Sequence, residues 1–208
     1  TNKDLIIPFS FENRKPIHLD DQFFYLPPNI TLNKQKLPFF NNNGDFVIEY
    51  CSGNGHWILD KAEKNPHKNF LAVEMRFERV RRIWVKAKNR GINNLLVVWA
   101  EANLFTKFYI PDLILNEIYI NFPDPWPKNR HSRNRLIRPE FIENFSRACC
   151  KDAIWTVATD DFMTCRRTIG FAEKSIWRSI HSDPFFIKDY PDYGISYFES
   201  LWRKKGRE

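Results

Sequence analysis

Between Phe46 and Lys174 short apolar runs alternate with longer amphipathic stretches, and this alternation constrains the fold more than any other feature of the chain. Phe46 to Tyr50, Phe70 to Val73 (closed by Glu74), Leu95 to Trp99, Ile118 to Phe122 and Ala153 to Ala158 read as buried strands. The stretches from about His56 to Lys64, Phe77 to Asn89, Pro139 to Cys150 and Phe162 to Lys174 read as helices. Pro139 suits a first helical turn, where its missing amide leaves no bond unmade. Strands joined through helices run parallel, and helices then cover both faces of the sheet. The expected class is therefore α/β, a doubly wound, mostly parallel, Rossmann-like sheet. Residues 1–45 are rich in Pro, Asn and Phe without periodicity and read as an irregular arm ahead of a domain over 46–208. Ile195 to Trp202 alternates and reads as an additional edge strand.

Composition removes several classes. A chain of 208 residues builds one core of ordinary size. An aromatic content of 16% is too much apolar surface for a disordered chain. No apolar run approaches the roughly 18–20 residues of a membrane helix. The opening TNKDLIIPF has no charged-then-apolar leader, so no signal peptide is expected in this stretch. Cys51, Cys149, Cys150 and Cys165 form no CxxC pair and no metal-ligand spacing; reduced thiols in the cytoplasm and no metal are expected. Lys and Arg exceed Asp and Glu by 32 to 25, a net +7 that suits an anionic partner without identifying it.

In an open parallel sheet, ligands bind beyond the carboxyl ends of the strands. Glu49 ends the first strand and is followed by Cys51-Ser52-Gly53-Asn54-Gly55. Gly53 and Gly55 let the backbone approach a ligand closely, and the next helix presents free amides. A dinucleotide fingerprint needs a third glycine where Ile58 stands, which argues against NAD. Glu74, about twenty residues beyond the turn at the end of the second strand, suits the hydroxyls of a ribose. Glu101 follows the third strand and is placed to accept from an adenine amino group. A nucleoside without pyrophosphate fits, and S-adenosylmethionine, a sulfonium cation, suits a pocket holding Glu49 and Asp124.

The fourth strand runs into Asn121-Phe122-Pro123-Asp124-Pro125-Trp126-Pro127-Lys128, where closely spaced prolines stiffen the backbone around a carboxylate. Arg130, His131, Ser132, Arg133, Asn134 and Arg135 follow, with Arg138 close behind and no acid between Pro125 and Pro139. Arginines without acidic neighbours beside a ligand crevice suit phosphate contacts. The run NFPDPWPKNRHSRNR resembles the signature of the tRNA (guanine-N7-)-methyltransferases, and the order of elements resembles that family from Phe46 onward. The resemblance implies a class I S-adenosylmethionine-dependent methyltransferase fold acting on a guanosine of the tRNA variable loop. It implies Asp124 as the catalytic carboxylate and donor contacts at Glu49, Gly53, Gly55, Glu74, Glu101, Ala102 and Asn121. It also implies substrate contacts at Lys128, Asp160, Ser196, Tyr197, Phe198 and Glu199, and RNA contacts over Arg130 to Arg135.

The form of the motif resembles the bacterial branch, which implies a cytoplasmic monomer or homodimer with no obligatory protein partner. Several positions depart from the family pattern, among them Tyr50, which stands where the family usually has an aliphatic residue. Cys51 stands where its first motif glycine falls, Glu101 replaces an aspartate, and Ser196-Tyr197 replaces Thr-Lys. The chain stops at Glu208, where the family usually continues into one more strand, so trimming or disorder at that end is expected. Two other readings compete: methylation of an exocyclic amine, for which the adjacent prolines of that motif are missing, and an RNA-binding module that has lost its donor.

Overall fold

A computed structural model describes residues 17–28, 40, 42–188 and 193 of the chain. In chain order the elements are β1 (Ile17–Asp20), β2 (Phe23–Tyr25), β3 (Phe46–Tyr50), α1 (His56–Lys64), β4 (Asn69–Glu74), α2 (Phe77–Asn89) and β5 (Leu95–Trp99). They continue with α3 (Ala102–Tyr109), β6 (Leu115–Asn121), a 3-10 helix (Asn129–Asn134), α4 (Pro139–Ala148), β7 (Cys149–Ala158) and α5 (Phe162–Glu173). The seven strands form one sheet in the order β1-β2-β5-β4-β3-β6-β7. Every pair is parallel except β1 with β2.

Strands β3 and β4 are buried along their whole length, as a sheet covered on both faces requires. One core layer packs Phe105, Tyr109, Phe141 and Phe145 of α3 and α4 against Ile48, Tyr50 and Leu71. The opposite layer packs Trp57, Ile58, Val80 and Ile83 of α1 and α2 against Val47, Ala72 and Val97. The sheet is thus doubly wound. From β3 the chain first builds outward through β4 and β5, then returns to the other side of β3 with β6 and β7. Strand order therefore reverses between β3 and β6, and a crevice opens beyond their carboxyl ends. Glu49 and Asn121 stand there.

Several expectations need correction. Residues 17–25 are not an irregular arm: β1 and β2 form a hairpin, and β2 adds to the edge of β5. Phe23, Phe24 and Tyr25 are buried on both faces, so no period-two pattern marked them. Helix α3 went unread because it is short and uncharged in its first turn; the Glu101 side chain caps it. Strand β6 starts at Leu115, not Ile118, and ends at Asn121, because Phe122 turns left-handed at φ 49°. Helix α4 stops at Ala148, and Cys149 already pairs with Leu115, so β7 begins before the expected Ala153. The edge strand expected over Ile195 to Trp202 lies outside the described residues. No helix among the described residues is long and apolar enough to cross a membrane.

Candidate active site

The turn after β3 winds through left-handed backbone at Cys51 (φ 61°), Gly53 (φ 57°) and Gly55 (φ 74°). Gly53 has open space around it, so only its backbone conformation demands glycine. Gly55 is also sterically pinned, since a Cβ there would sit 2.7 Å from Cγ1 of Ile83 on α2. Cys51 adopts the same left-handed conformation with a side chain attached, which accounts for the glycine that the resemblance places at this position.

Glu74, only 6% exposed, clasps this turn from the end of β4. Its Oε2 accepts from the Gly53 amide at 2.9 Å, and its Oε1 accepts from the amides of Met75 and Arg76, each at 2.9 Å. Arg79 approaches Oε2 at 3.7 Å. From the far side Lys86 Nζ donates to the Asn54 carbonyl at 3.0 Å. The turn is a braced element, set before any ligand arrives.

Glu49 is 2% exposed. Its Oε1 accepts from Asn121 Nδ2 at 2.7 Å, while Oε2 is buried without a hydrogen-bond partner. Burial pushes its carboxyl up to about 8; the Asn121 bond opposes the shift and the Glu74 charge adds to it. The Tyr193 hydroxyl donates to Asn121 Oδ1, and Trp57 Nε1 donates to the Tyr193 carbonyl at 2.9 Å. Burial, with smaller contributions from the charges of Glu74, Asp124 and Glu49, raises the Cys51 thiol above its usual range. The buried Oε2 of Glu49 is left open to a hydrogen-bond donor on a bound ligand.

The state of Glu49 has a pH consequence. The folded protein keeps this proton to about pH 8, whereas the free carboxyl releases it near 4.5. Its contribution is complete below pH 4.5 and is lost as pH rises toward 8, at about 1.4 kcal/mol per pH unit. Urea unfolding at about pH 5.5 and about pH 7.5 should show wild type losing stability relative to Glu49→Gln. Equal pH dependence in the two proteins would refute the buried neutral acid.

Glu101 is exposed and turns back on its own helix, accepting from the amides of Asn103 at 3.0 Å and Leu104 at 2.7 Å. It fixes the start of α3, and Ala102, half-buried, opens that helix beside the carboxyl end of β5.

The second part of the site is the loop after β6. The Phe122 amide ties it to the Ala158 carbonyl of β7 at 2.8 Å. Phe122 and Trp126 (φ 40°) are both left-handed and bracket Asp124, which is exposed next to the buried Pro123. Lys128, also exposed, leads into the 3-10 helix. Ser132, Arg133 and Asn134 are exposed; Arg130 Nε donates to His131 Nε2 at 3.2 Å, and the His131 ring meets Trp126 edge-on. Arg135 departs from this group: half-buried, it donates from Nε to the Trp126 carbonyl at 3.0 Å and from Nη2 to the Pro127 carbonyl at 3.3 Å.

Asp160 is exposed just past β7, and its neighbour Asp161 caps α5 through the Thr164 amide at 2.7 Å. Ser196, Tyr197, Phe198 and Glu199 lie outside the described residues. Tyr193 and Arg167 were missed from sequence. A single tyrosine in an aperiodic tail and one arginine on an amphipathic helix carry no local signal.

A doubly wound sheet with a glycine turn after its central strand and acids at successive strand ends belongs to an S-adenosylmethionine-dependent methyltransferase. Residues 43–208 match a family model described as putative methyltransferase. The chain is 38% identical over 212 residues to the tRNA (guanine-N(7)-)-methyltransferase of Chlamydia pneumoniae, spanning 99% of this chain and 93% of that protein. The enzyme of the same name from Chlamydia abortus is 39% identical over 211 residues, with the same 99% and 93% coverage. The crystal structure of precorrin-6y C5,15-methyltransferase from Geobacter metallireducens shares the fold, at a TM-score of 0.50, 15% identity and 63% coverage of each chain. The chain belongs to the tRNA (guanine-N(7)-)-methyltransferase family.

Proposed function

We infer that this protein transfers a methyl group from S-adenosylmethionine to N7 of a guanosine in the tRNA variable loop. The observation that carries the reading is the placement of Asp124. It is exposed in the loop directly after β6, whose last residue Asn121 donates to Glu49, with the basic 3-10 helix immediately beyond. Donor and nucleic acid would meet at this carboxylate.

The residues present suit the donor, which when bound supplies an electrophilic methyl group on sulfur. Glu74 would accept from the ribose hydroxyls, and Glu101 with Ala102 would border the adenine. Gly53 and Gly55 give close backbone approach, while Glu49 and Asn121 face the cationic end. Lys128, Asp160 and the segment Ser196 to Glu199 are the proposed contacts to the target nucleotide. Asp160 and Glu199 are acceptors suited to guanine N1–H and its amino group.

Guanine N7 has a free lone pair, so the new nitrogen–carbon bond forms as the methyl–sulfur bond breaks and no proton has to leave. The ring becomes positively charged, and Asp124, fixed in place beforehand, stabilises that charge as it develops. In-line positioning supplies most of the remaining rate. Reaction of the protein with unmodified tRNA and labelled donor, followed by mapping of the product, tests the reading. A methyl group on an exocyclic amine, or none at all, would reject it. We place the reaction in the cytoplasm and without a second protein subunit.

Arg133 is exposed, and among the described residues it has no hydrogen-bond or ion-pair partner, as a phosphate contact requires. Arg133→Ala should lower the slope of log affinity against log salt by about one. An unchanged slope in filter-binding titrations would place Arg133 off the RNA.

A further inference from the structure

Arg135 closes the basic run and by charge alone counts as another phosphate contact, but its guanidinium is already engaged. Nε and Nη2 bind the carbonyls of Trp126 and Pro127, at 3.0 and 3.3 Å. On the other side Arg167 of α5 reaches the Pro125 carbonyl at 3.4 Å. Arg167 is itself held by Thr164 Oγ1 at 2.8 Å and by Asp161 at 3.5 Å. Two cations therefore meet three successive carbonyls directly after Asp124.

We propose that Arg135 is a positioning residue that clamps the Asp124 loop, with Arg167 as its counterpart, and is not an RNA contact. The loop needs such a clamp because Pro123, Pro125 and Pro127 have no amide to donate. Carbonyls are the polar backbone groups it mainly offers, and a guanidinium fork binds two at once with directional donors. Trp126 is also left-handed, a conformation that a side-chain-bearing residue keeps only when its surroundings enforce it. Arg135 and Arg167 line one shallow hollow together with Asp124, Thr164 and Thr168, so the clamp borders the space beside the carboxylate. The two arginines come from different elements, which ties loop geometry to the docking of α5. Arg133 and Arg135, two residues apart, thus do different work.

The proposal rests on the reading of Asp124 as the catalytic carboxylate, and its test separates the two. Arg135→Ala, Arg135→Lys, Arg133→Ala and Asp124→Ala are compared in the full chain. Arg135→Ala should lower kcat by about ten- to hundredfold with little change in KM for tRNA. The salt slope of binding should stay at the wild-type value, and backbone order parameters at Asp124 and Trp126, from NMR relaxation, should fall. Arg135→Lys keeps the charge and an ammonium donor without the planar fork, and should recover part of kcat and of the loop order. A salt slope lower by about one with unchanged loop order parameters would overturn the proposal and return Arg135 to the RNA surface. Should Asp124→Ala retain turnover, the catalytic reading fails, while lower loop order parameters in Arg135→Ala would still establish the clamp.

Discussion

Asp124→Ala should abolish methyl transfer, with kcat down by at least about 10²–10³-fold, while donor and tRNA affinities stay close to wild type. The expectation follows from where the carboxylate stands. It is exposed in a proline-stiffened loop, bracketed by left-handed Phe122 and Trp126, just beyond the Asn121 that binds Glu49. A charge held there costs no reorganisation when the purine ring becomes cationic, so its effect falls on the transition state and hardly on ground-state binding. Asp124→Asn keeps the shape and removes the charge, and it should be nearly as inactive. Single-turnover assays with saturating tRNA read the chemical step directly. Substantial turnover in either variant would end the assignment and shift catalysis to positioning alone.

Glu74→Ala should raise the dissociation constant for S-adenosylmethionine by about 10²-fold or more. Two losses combine. The acceptor proposed for the ribose hydroxyls disappears, the Gly53 amide loses Oε2, and the Met75 and Arg76 amides lose Oε1. Hydrogen bonds to a charged group contribute about 1.5–3 kcal/mol each, and about 1.4 kcal/mol is tenfold in affinity. Glu74→Gln separates the contributions: one oxygen remains for the backbone while the charge is gone, so affinity should fall by less. Calorimetric titration of donor into tRNA-free protein isolates the effect from RNA binding. Donor affinity equal to wild type in Glu74→Ala would contradict the ribose assignment.

The same residues show where local reading of the chain succeeds. Helices over His56–Lys64 and Phe77–Asn89 have the expected bounds because their apolar spacing and flanking turns are written in consecutive residues. Strands β3 and β5 were legible as short buried runs. Residues 17–25 were not, since a short aromatic run buried on both faces has no period to detect. Glu101 was correctly placed after the third strand, yet its side chain also caps α3, a helix that could not be read without knowing that its inner face meets α4. The boundary at Cys149 depended on pairing with Leu115 across the sheet.

Amino-acid order alone established a parallel α/β sheet, a glycine turn, and acids at successive strand ends beside a basic loop. These are properties of neighbouring residues, and a parallel sheet necessarily gathers its carboxyl ends on one side. Side-chain assignment within that site depended on folding, because the bonds involved join distant parts of the chain. Asn121 reaches Glu49 across 72 positions and Trp57 reaches the Tyr193 carbonyl across 136. The charge of Arg135 was plain in the sequence; that it faces inward onto the Asp124 loop followed only from the path of the backbone, whose proline-flanked carbonyls needed donors and found them there.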